Sequence, residues 1–480
     1  MHANMMDGPN RTTMKGNGVV PPELPARSVG WIIAASSFAF AVIQLDVTIV
    51  NVALSRISAD FGATVTDLQW VIDAYTLGFA ALLLSAGVVV DRLGSKRVFV
   101  TGFVGFAAAS LACGLAPSPG FLNATRAIQG IGAALLVPSS LAILNDACAH
   151  DARLRARAIG IWTAAGGVAI AAGPVVGGLL LTGLGWRSIF LVNIPICALG
   201  LTLTLRCVPP TQRDKEKQRS FDFTGQALAI VALTAFIAAI IEARPLGITH
   251  PMVAAGSLLA LAAGAVFIAV EARTASPMLP LYFFRLPGFT PAIVFGVLAN
   301  CTYYGIIFVL SLYLQKAVGY STVQAGLAFL PLTGTFIASN IASGWMAGRI
   351  GSRAPMILGG LIGAVGYGLL DRLGGRSTFI DMLPGFILIP AGMGLAVPAM
   401  TTAILSSVDR ARSGTASAVL NAARQVGGAI GVAACGAVVS GVTAERIIAG
   451  LNIAALTSAA LMIIATIIAS FVRPKSQIYD

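Results

Sequence analysis

Charged side chains are scarce in this 480-residue chain: Asp, Glu, Lys and Arg make up 10% of it, against 57% apolar residues. Soluble domains carry about 25% charge, so a water-exposed globule is excluded and the serial apolar runs read as an all-α polytopic membrane protein. Histidine is scarcer still. His2, His150 and His250 all fall in the tail or in loops. The six cysteines form no C-x-x-C pair and lie mostly inside apolar runs, so neither a metal centre nor a disulfide framework is expected. No residue set resembles a hydrolytic or redox centre, which argues against an enzyme and against a bound cofactor. The net charge of +12 would suggest nucleic acid in a soluble protein. Here it is read by position, because cytoplasmic loops collect Lys and Arg, and no nucleic-acid partner is expected.

Fourteen spans are expected, near 31–54, 68–90, 98–116, 121–146, 156–181, 187–206, 223–243, 252–271, 289–314, 322–347, 354–373, 380–405, 412–440 and 449–472. With both termini inside, the cytoplasmic segments hold roughly three times as many Lys and Arg as the outer loops, which sets an N-in/C-in orientation. Residues 1–29 are polar and Pro/Gly-rich and read as a disordered cytoplasmic tail, with no signal peptide ahead of the first span. Internal repetition sets the architecture. G-V-V-V-D-R-L-G-S-K at 87–96 recurs as G-W-M-A-G-R-I-G-S-R at 344–353, R-A-R at 155–157 recurs at 410–412, and G-I-G-A-A-L-L-V-P at 130–138 recurs loosely at 392–398. The shared order points to two six-helix bundles, 30–206 and 289–472, related by a parallel repeat. Between them lie a charged linker at 207–222, two extra helices at 223–271 and a second linker at 272–288, and 473–480 forms a cytoplasmic tail.

Against that apolar background Asp46 stands out, since an aspartate at the centre of a spanning helix costs roughly 2.5–3.5 kcal/mol. At 1.5 Å per residue, Asp46 and Gln129 lie ~12 Å, and Arg126 and Asp73 ~8 Å, from the outer ends of their spans, so the four share a layer. Asp46 is opposite the polar stripe of its own helix, Gln44, Thr48, Asn51 and Ser55. The stripe is therefore expected to face a central cavity, with Asp46 turned to span four. In the C-terminal half Ser417, Asn421, Arg424 and Gly428 repeat at helical spacing beside Gln425, and Asn300, Tyr304 and Ser311 align beside Tyr303. The candidate cavity residues are thus Gln44, Thr48, Asn51, Gln129, Asn300, Tyr303, Tyr304, Asn421, Arg424 and Gln425. Interhelical hydrogen bonding accounts for the C-terminal spacing equally well.

Four motifs, in order, carry a resemblance. They are L-D-V-T-I-V-N-V-A-L at 45–54, the turn Gly87 to Arg97, R-A-I-Q-G-I-G-A at 126–133, and G-P-V-V-G-G at 173–178. Over about 31–472 the chain resembles the fourteen-span drug:proton antiporter branch of the major facilitator superfamily, which includes multidrug and methylenomycin-type resistance exporters. The resemblance implies proton coupling through Asp46 and Arg126, with Asp73 beside them, and a cytoplasmic latch at Gly87, Asp91, Arg92, Gly94, Lys96 and Arg97. It also implies a gating role for Gly173, Pro174, Gly177 and Gly178. Ser55 departs from the usual proline, Ser95 from a position that is often basic, and Gly348 replaces the aspartate in the second copy of the turn. The expected protein is a monomeric, multi-pass, proton-coupled antiporter. It exports small amphipathic compounds across the cytoplasmic membrane and uses no cofactor other than protons. An importer on the same scaffold and a non-transporting receptor are the alternatives, and the intramembrane Asp46 and Arg126 argue against the second.

Overall fold

The computed structural model describes residues 26–148, 152–210, 222–274, 277–408, 413–439 and 443–472, and among them helix is the only regular structure, with no strand. The helices are α1 (Ala26–Phe61), α2 (Val65–Leu93), α3 (Ser95–Gly114), α4 (Pro119–Ala147), α5 (Ala152–Gly183), α6 (Ser188–Leu191 and Asn193–Cys207), α7 (Phe223–Leu246) and α8 (Pro251–Glu271). The second half holds α9 (Phe289–Leu312, continued by the π turn Tyr313–Ala317), α10 (Thr322–Ala328 and Leu330–Ile350), α11 (Arg353–Leu370), α12 (Phe379–Ser407), α13 (Ser413–Val438) and α14 (Ala444–Ala469). Among the described residues, eleven helical segments are long and apolar enough to cross a membrane, or twelve with the bent α5 taken as one span. Helices α2 and α13 lie where the second and thirteenth spans are expected.

Local chemistry sets the ends. Thr64 and Asp67 form a capping box that starts α2, and the Ser118 hydroxyl accepts the Phe121 amide to start α4. Gly94 has φ +86° and Gly351 φ +78°, so the repeated G-S-K and G-S-R turns reverse the chain through a backbone conformation open to glycine. Pro174 leaves the Ile170 carbonyl without its helical donor, and α5 bends by 41° between Arg157–Ile170 and Ala172–Gly183. Two boundaries differ from expectation. Residues 26–29, expected in the tail, are the first turn of α1, and the second linker holds a 3₁₀ turn, Leu281–Arg285, whose Phe283 is buried against Phe289. Residues 1–25, most of the first linker (211–221) and the tail 473–480 lie outside the described part.

Within the first bundle α1 packs on α5, α4 and α6, and α4 packs on α2 and α3; the second is built from α9–α14. Glycines bring the backbones together: a Cβ at Gly130 on α4 would fall 2.1 Å from the Tyr75 carbonyl oxygen, and one at Gly431 on α13 would fall 1.9 Å from that of Cys301. The extra hairpin is asymmetric. Helix α7 packs against α2 and α13, where Gln226 donates to the Ala81 carbonyl at 2.5 Å, whereas α8 leans on α7.

The halves join at the end where α1 finishes. Gly178 of α5 meets Val323, and a Cβ at Gly326 of α10 would fall 2.3 Å from the Pro174 carbonyl oxygen. Lys316 Nζ reaches Ser58 Oγ at 3.3 Å, Gln69 Nε2 donates to the Ala433 carbonyl at 2.7 Å, and the Ser311 hydroxyl donates to the Asn51 carbonyl. Helix α5 meets α10 chiefly through its short first segment, Thr322–Ala328. Further along, Ile161, Val168, Ile341 and Trp345 are exposed.

Candidate functional site

Asp46 lies at the centre of the first bundle with no solvent exposure. Arg126 of α4 donates through Nη1 to its Oδ2 at 2.5 Å and to Gln129 Oε1 at 2.7 Å. Arg126 Nε donates to the Val71 carbonyl of α2 at 3.0 Å, and the guanidinium lies over the Tyr75 ring, 4.3 Å from its centroid. The other carboxylate oxygen accepts from Gln129 Nε2 at 2.9 Å and from Asn193 Nδ2 at 2.8 Å. Ser110 Oγ of α3 accepts from the same two amides, at 2.7 and 3.3 Å. Helices α1, α2, α3, α4 and α6 therefore converge on one carboxylate. Ionised, it is acceptor-only, and three donors occupy three of its roughly four acceptor sites, two on Oδ1 and one on Oδ2.

The site is built for an arginine. Lysine offers a point charge and no planar fork, and it would lose the Val71 contact and the stacking on Tyr75. Arg126→Lys is expected to cut transport at least about tenfold, because it removes charge-assisted bonds worth roughly 1.5–3 kcal/mol each. Flux into vesicles holding equal amounts of the two proteins checks this.

Asn193 and Ser110 were absent from the sequence-derived set. The depth arithmetic that groups Asp46 with Arg126 also places Asn193, near the outer end of span six, in that layer. That signal was available.

Asp73 does not join the network, contrary to expectation. It is fully buried and neither of its oxygens accepts a hydrogen bond. The face of α2 that meets α4 carries Val71 and Tyr75, whereas Asp73 lies on the Gln69 side, toward α13 and α7, where Leu77 packs with Ile237, Ala429 and Ala433. Equal depth does not imply equal azimuth.

A cavity of about 100 Å³ lies between the halves. Gln44, Thr48 and Asn51 of α1 line it, as do Ile170 and Pro174 of α5, Asn300, Tyr303 and Tyr304 of α9, Phe329 and Phe336 of α10, Met393 and Val397 of α12, and Arg424 of α13. Three expected residues are elsewhere. Gln129 is sealed in the Asp46 network, while Asn421 and Gln425 are on α13 but not on the wall, and Asn421 Nδ2 donates to the Ser417 carbonyl at 3.0 Å. Drug-sized pockets run to about 300–1,000 Å³, so this cavity has to widen to admit a ligand of that size.

The fourth motif presents two faces. Added Cβ atoms at Gly166, Gly173 and Gly177 would meet Phe40, Thr48 and Ile49 of α1, whereas Gly178 and the Pro174 carbonyl abut α10. The bend of α5 thus links the helix that carries Asp46 to the opposite half. In the 87–97 turn, Lys96 Nζ caps the end of α6, donating to the carbonyls of Leu205, at 3.4 Å, and Val208. Gly87 borders open space and Arg92 and Arg97 are exposed, while the side chain of Asp91 lies outside the described part.

With this geometry in view, the sequence profile of the Major Facilitator Superfamily matches residues 36–432. The chain is 36% identical over 433 residues to the methylenomycin A resistance protein of Streptomyces coelicolor, covering 89% of this chain and 90% of that protein. It is also 36% identical over 424 residues to the cephamycin export protein CmcT of Amycolatopsis lactamdurans, covering 86% of each. Among solved structures, that of the peptide transporter POT in complex with sulfate superposes with a TM-score of 0.68 at 17% identity, covering 94% of this chain and 96% of that one. At that identity the likeness speaks for the fold alone.

Proposed function

The chain belongs to the Major Facilitator Superfamily, and from that premise we propose that it is a proton-coupled antiporter that exports small amphipathic compounds by alternating access. The observation that carries the proposal is the Asp46 carboxylate, buried, bound to Arg126, Gln129 and Asn193, and set on the helix that lines the cavity. Asp46, the cavity-lining Thr48 that Gly173 abuts, and the Asn51 carbonyl that bonds Ser311 of the other half all lie within two turns of α1. A change at the carboxylate is therefore transmitted along a single helix to the cavity wall and to the interface between halves. Export direction draws on relatives whose names record resistance and export.

In this reading fourteen spans place both termini in the cytoplasm of a cell whose cytoplasmic membrane holds the protein as a monomer, and the closed end faces outward. Substrate enters from the cytoplasmic side. After the halves rock, a proton from outside takes Asp46, substrate leaves, and the reverse rocking delivers the proton inward. One proton moving down 100 mV yields ~2.3 kcal/mol and one pH unit adds ~1.36 kcal/mol, enough for roughly a 500-fold gradient of a neutral solute. A resistance panel in an efflux-deficient bacterial host identifies a transported compound. Inverted vesicles then test coupling: an acid interior should drive uptake of that compound, and uptake that ignores the proton gradient would overturn the proposal. Uptake driven only by the opposite gradient would identify an importer.

A further inference from the structure

Among the described residues, the cavity between the halves has a single wall residue of a charged type. Arg424 contributes it, and the remaining lining from α1, α5, α9, α10 and α12 is either neutral polar or apolar. The Nε of Arg424 is buried without a hydrogen-bond partner, and among the described residues the guanidinium forms no ion pair. The carboxylates on neighbouring helices are committed or misplaced. Asp46 is bound to Arg126 on the far face of α1, and Asp73, on α2 beside α13, neither lines the cavity nor bridges to Arg424. An uncompensated guanidinium in a low-dielectric site gains most from a ligand that brings the opposite charge, and its planar fork matches a carboxylate.

The neutral polar wall adds a second constraint. Thr48 donates its hydroxyl to the Gln44 carbonyl at 3.0 Å, Asn51 Nδ2 donates to the Val47 carbonyl at 3.1 Å, and Asn300 Nδ2 donates to the Gly296 carbonyl at 2.8 Å. With one N–H of each amide directed at its own helix, the side-chain oxygens of Asn51 and Asn300 remain as acceptors for a ligand, whereas Thr48 Oγ1 is packed against Gly173. Gln44, Tyr303, Tyr304 and Thr333 are the other polar residues of the wall, and the rest, Ile170, Ile307, Phe336 and Met393 among it, is apolar.

We infer that the cavity selects compact organic anions: an apolar body whose carboxylate engages Arg424 and whose hydroxyl or N–H is accepted by the Asn51 and Asn300 oxygens. Calling such an anion the exported substrate rests on the export reading above; the charge preference of the cavity does not.

The experiment measures binding rather than flux. Thermal unfolding of the purified full-length protein is followed with 4-hydroxycinnamate, 4-hydroxycinnamamide and tyramine, which share a phenol and differ in charge. The midpoint should rise with 4-hydroxycinnamate and stay unchanged with the amide and the amine. Arg424→Gln should weaken that binding by about tenfold or more, with part of it kept in Arg424→Lys, since the charge-assisted pair is lost in the first and retained without the fork in the second. Equal shifts from all three probes, a preference for tyramine, or no shift with 4-hydroxycinnamate would overturn the inference. A carboxylate preference in a protein that confers no resistance and moves nothing with the proton gradient would uphold the inference and sink the export reading instead.

Discussion

Asp46→Asn is expected to reduce proton-driven transport to the level of empty vesicles. Asparagine cannot change charge, and the three donors around residue 46, Arg126, Gln129 and Asn193, would face a side chain that no longer cycles between ionised and neutral. The variant should also lose stability, because removing one partner of a buried ion pair leaves the other charge uncompensated at a cost of about 3–5 kcal/mol. These two effects are separable. The double variant Asp46→Asn/Arg126→Gln removes the orphaned charge and should recover most of the lost thermal midpoint while remaining uncoupled. Recovery of flux together with stability would assign the pair a purely structural role.

Gly326→Ala is the second large effect. Its Cβ would lie 2.3 Å from the Pro174 carbonyl oxygen and 2.9 Å from the Pro174 carbonyl carbon, backbone atoms that a rotamer change cannot move. The clash is confined to one point of the seam between the halves, so the protein should insert and purify normally. What fails is the closure of the halves at this end, and with it the alternation. Transport should fall at least about tenfold, since each 1.4 kcal/mol of penalty on the closed state shifts its population tenfold. Gly167→Ala is the control on α5: nothing lies within 4 Å of its added Cβ, and transport should be retained.

Much of this organisation was legible in the sequence because a membrane makes depth readable. Apolar runs fix where spans begin, rise per residue converts position to depth, and depth grouped Asp46, Arg126 and Gln129 before any contact was known. Azimuth is read less well. It succeeded for Asp46, which opposes the Gln44–Thr48–Asn51 stripe, and failed for Asp73, whose face of α2 is decided by which neighbours α2 meets. The same weakness placed Asn421 and Gln425 on the cavity wall, though they stand about 60° and about 100° round α13 from Arg424. Asn193 and Ser110 went unnoticed for a different reason: a lone amide or hydroxyl in an apolar run is common and becomes informative only when its depth is compared with that of a charge. The α5 motif announced a thin, bent helix, but its partners, α1 on one face and α10 on the other, are a property of tertiary packing.

The most direct test joins the carboxylate to the motion. Leu184, after α5, and Leu327, on α10, are exposed on opposite halves at the closed end, and spin labels there report its opening. In the wild-type protein the label distance should shift between acidic and alkaline buffer, and in Asp46→Asn it should be the same at both. A wild-type distance indifferent to pH, or a shift that persists undiminished in Asp46→Asn, would contradict coupling between this carboxylate and the rocking of the two halves.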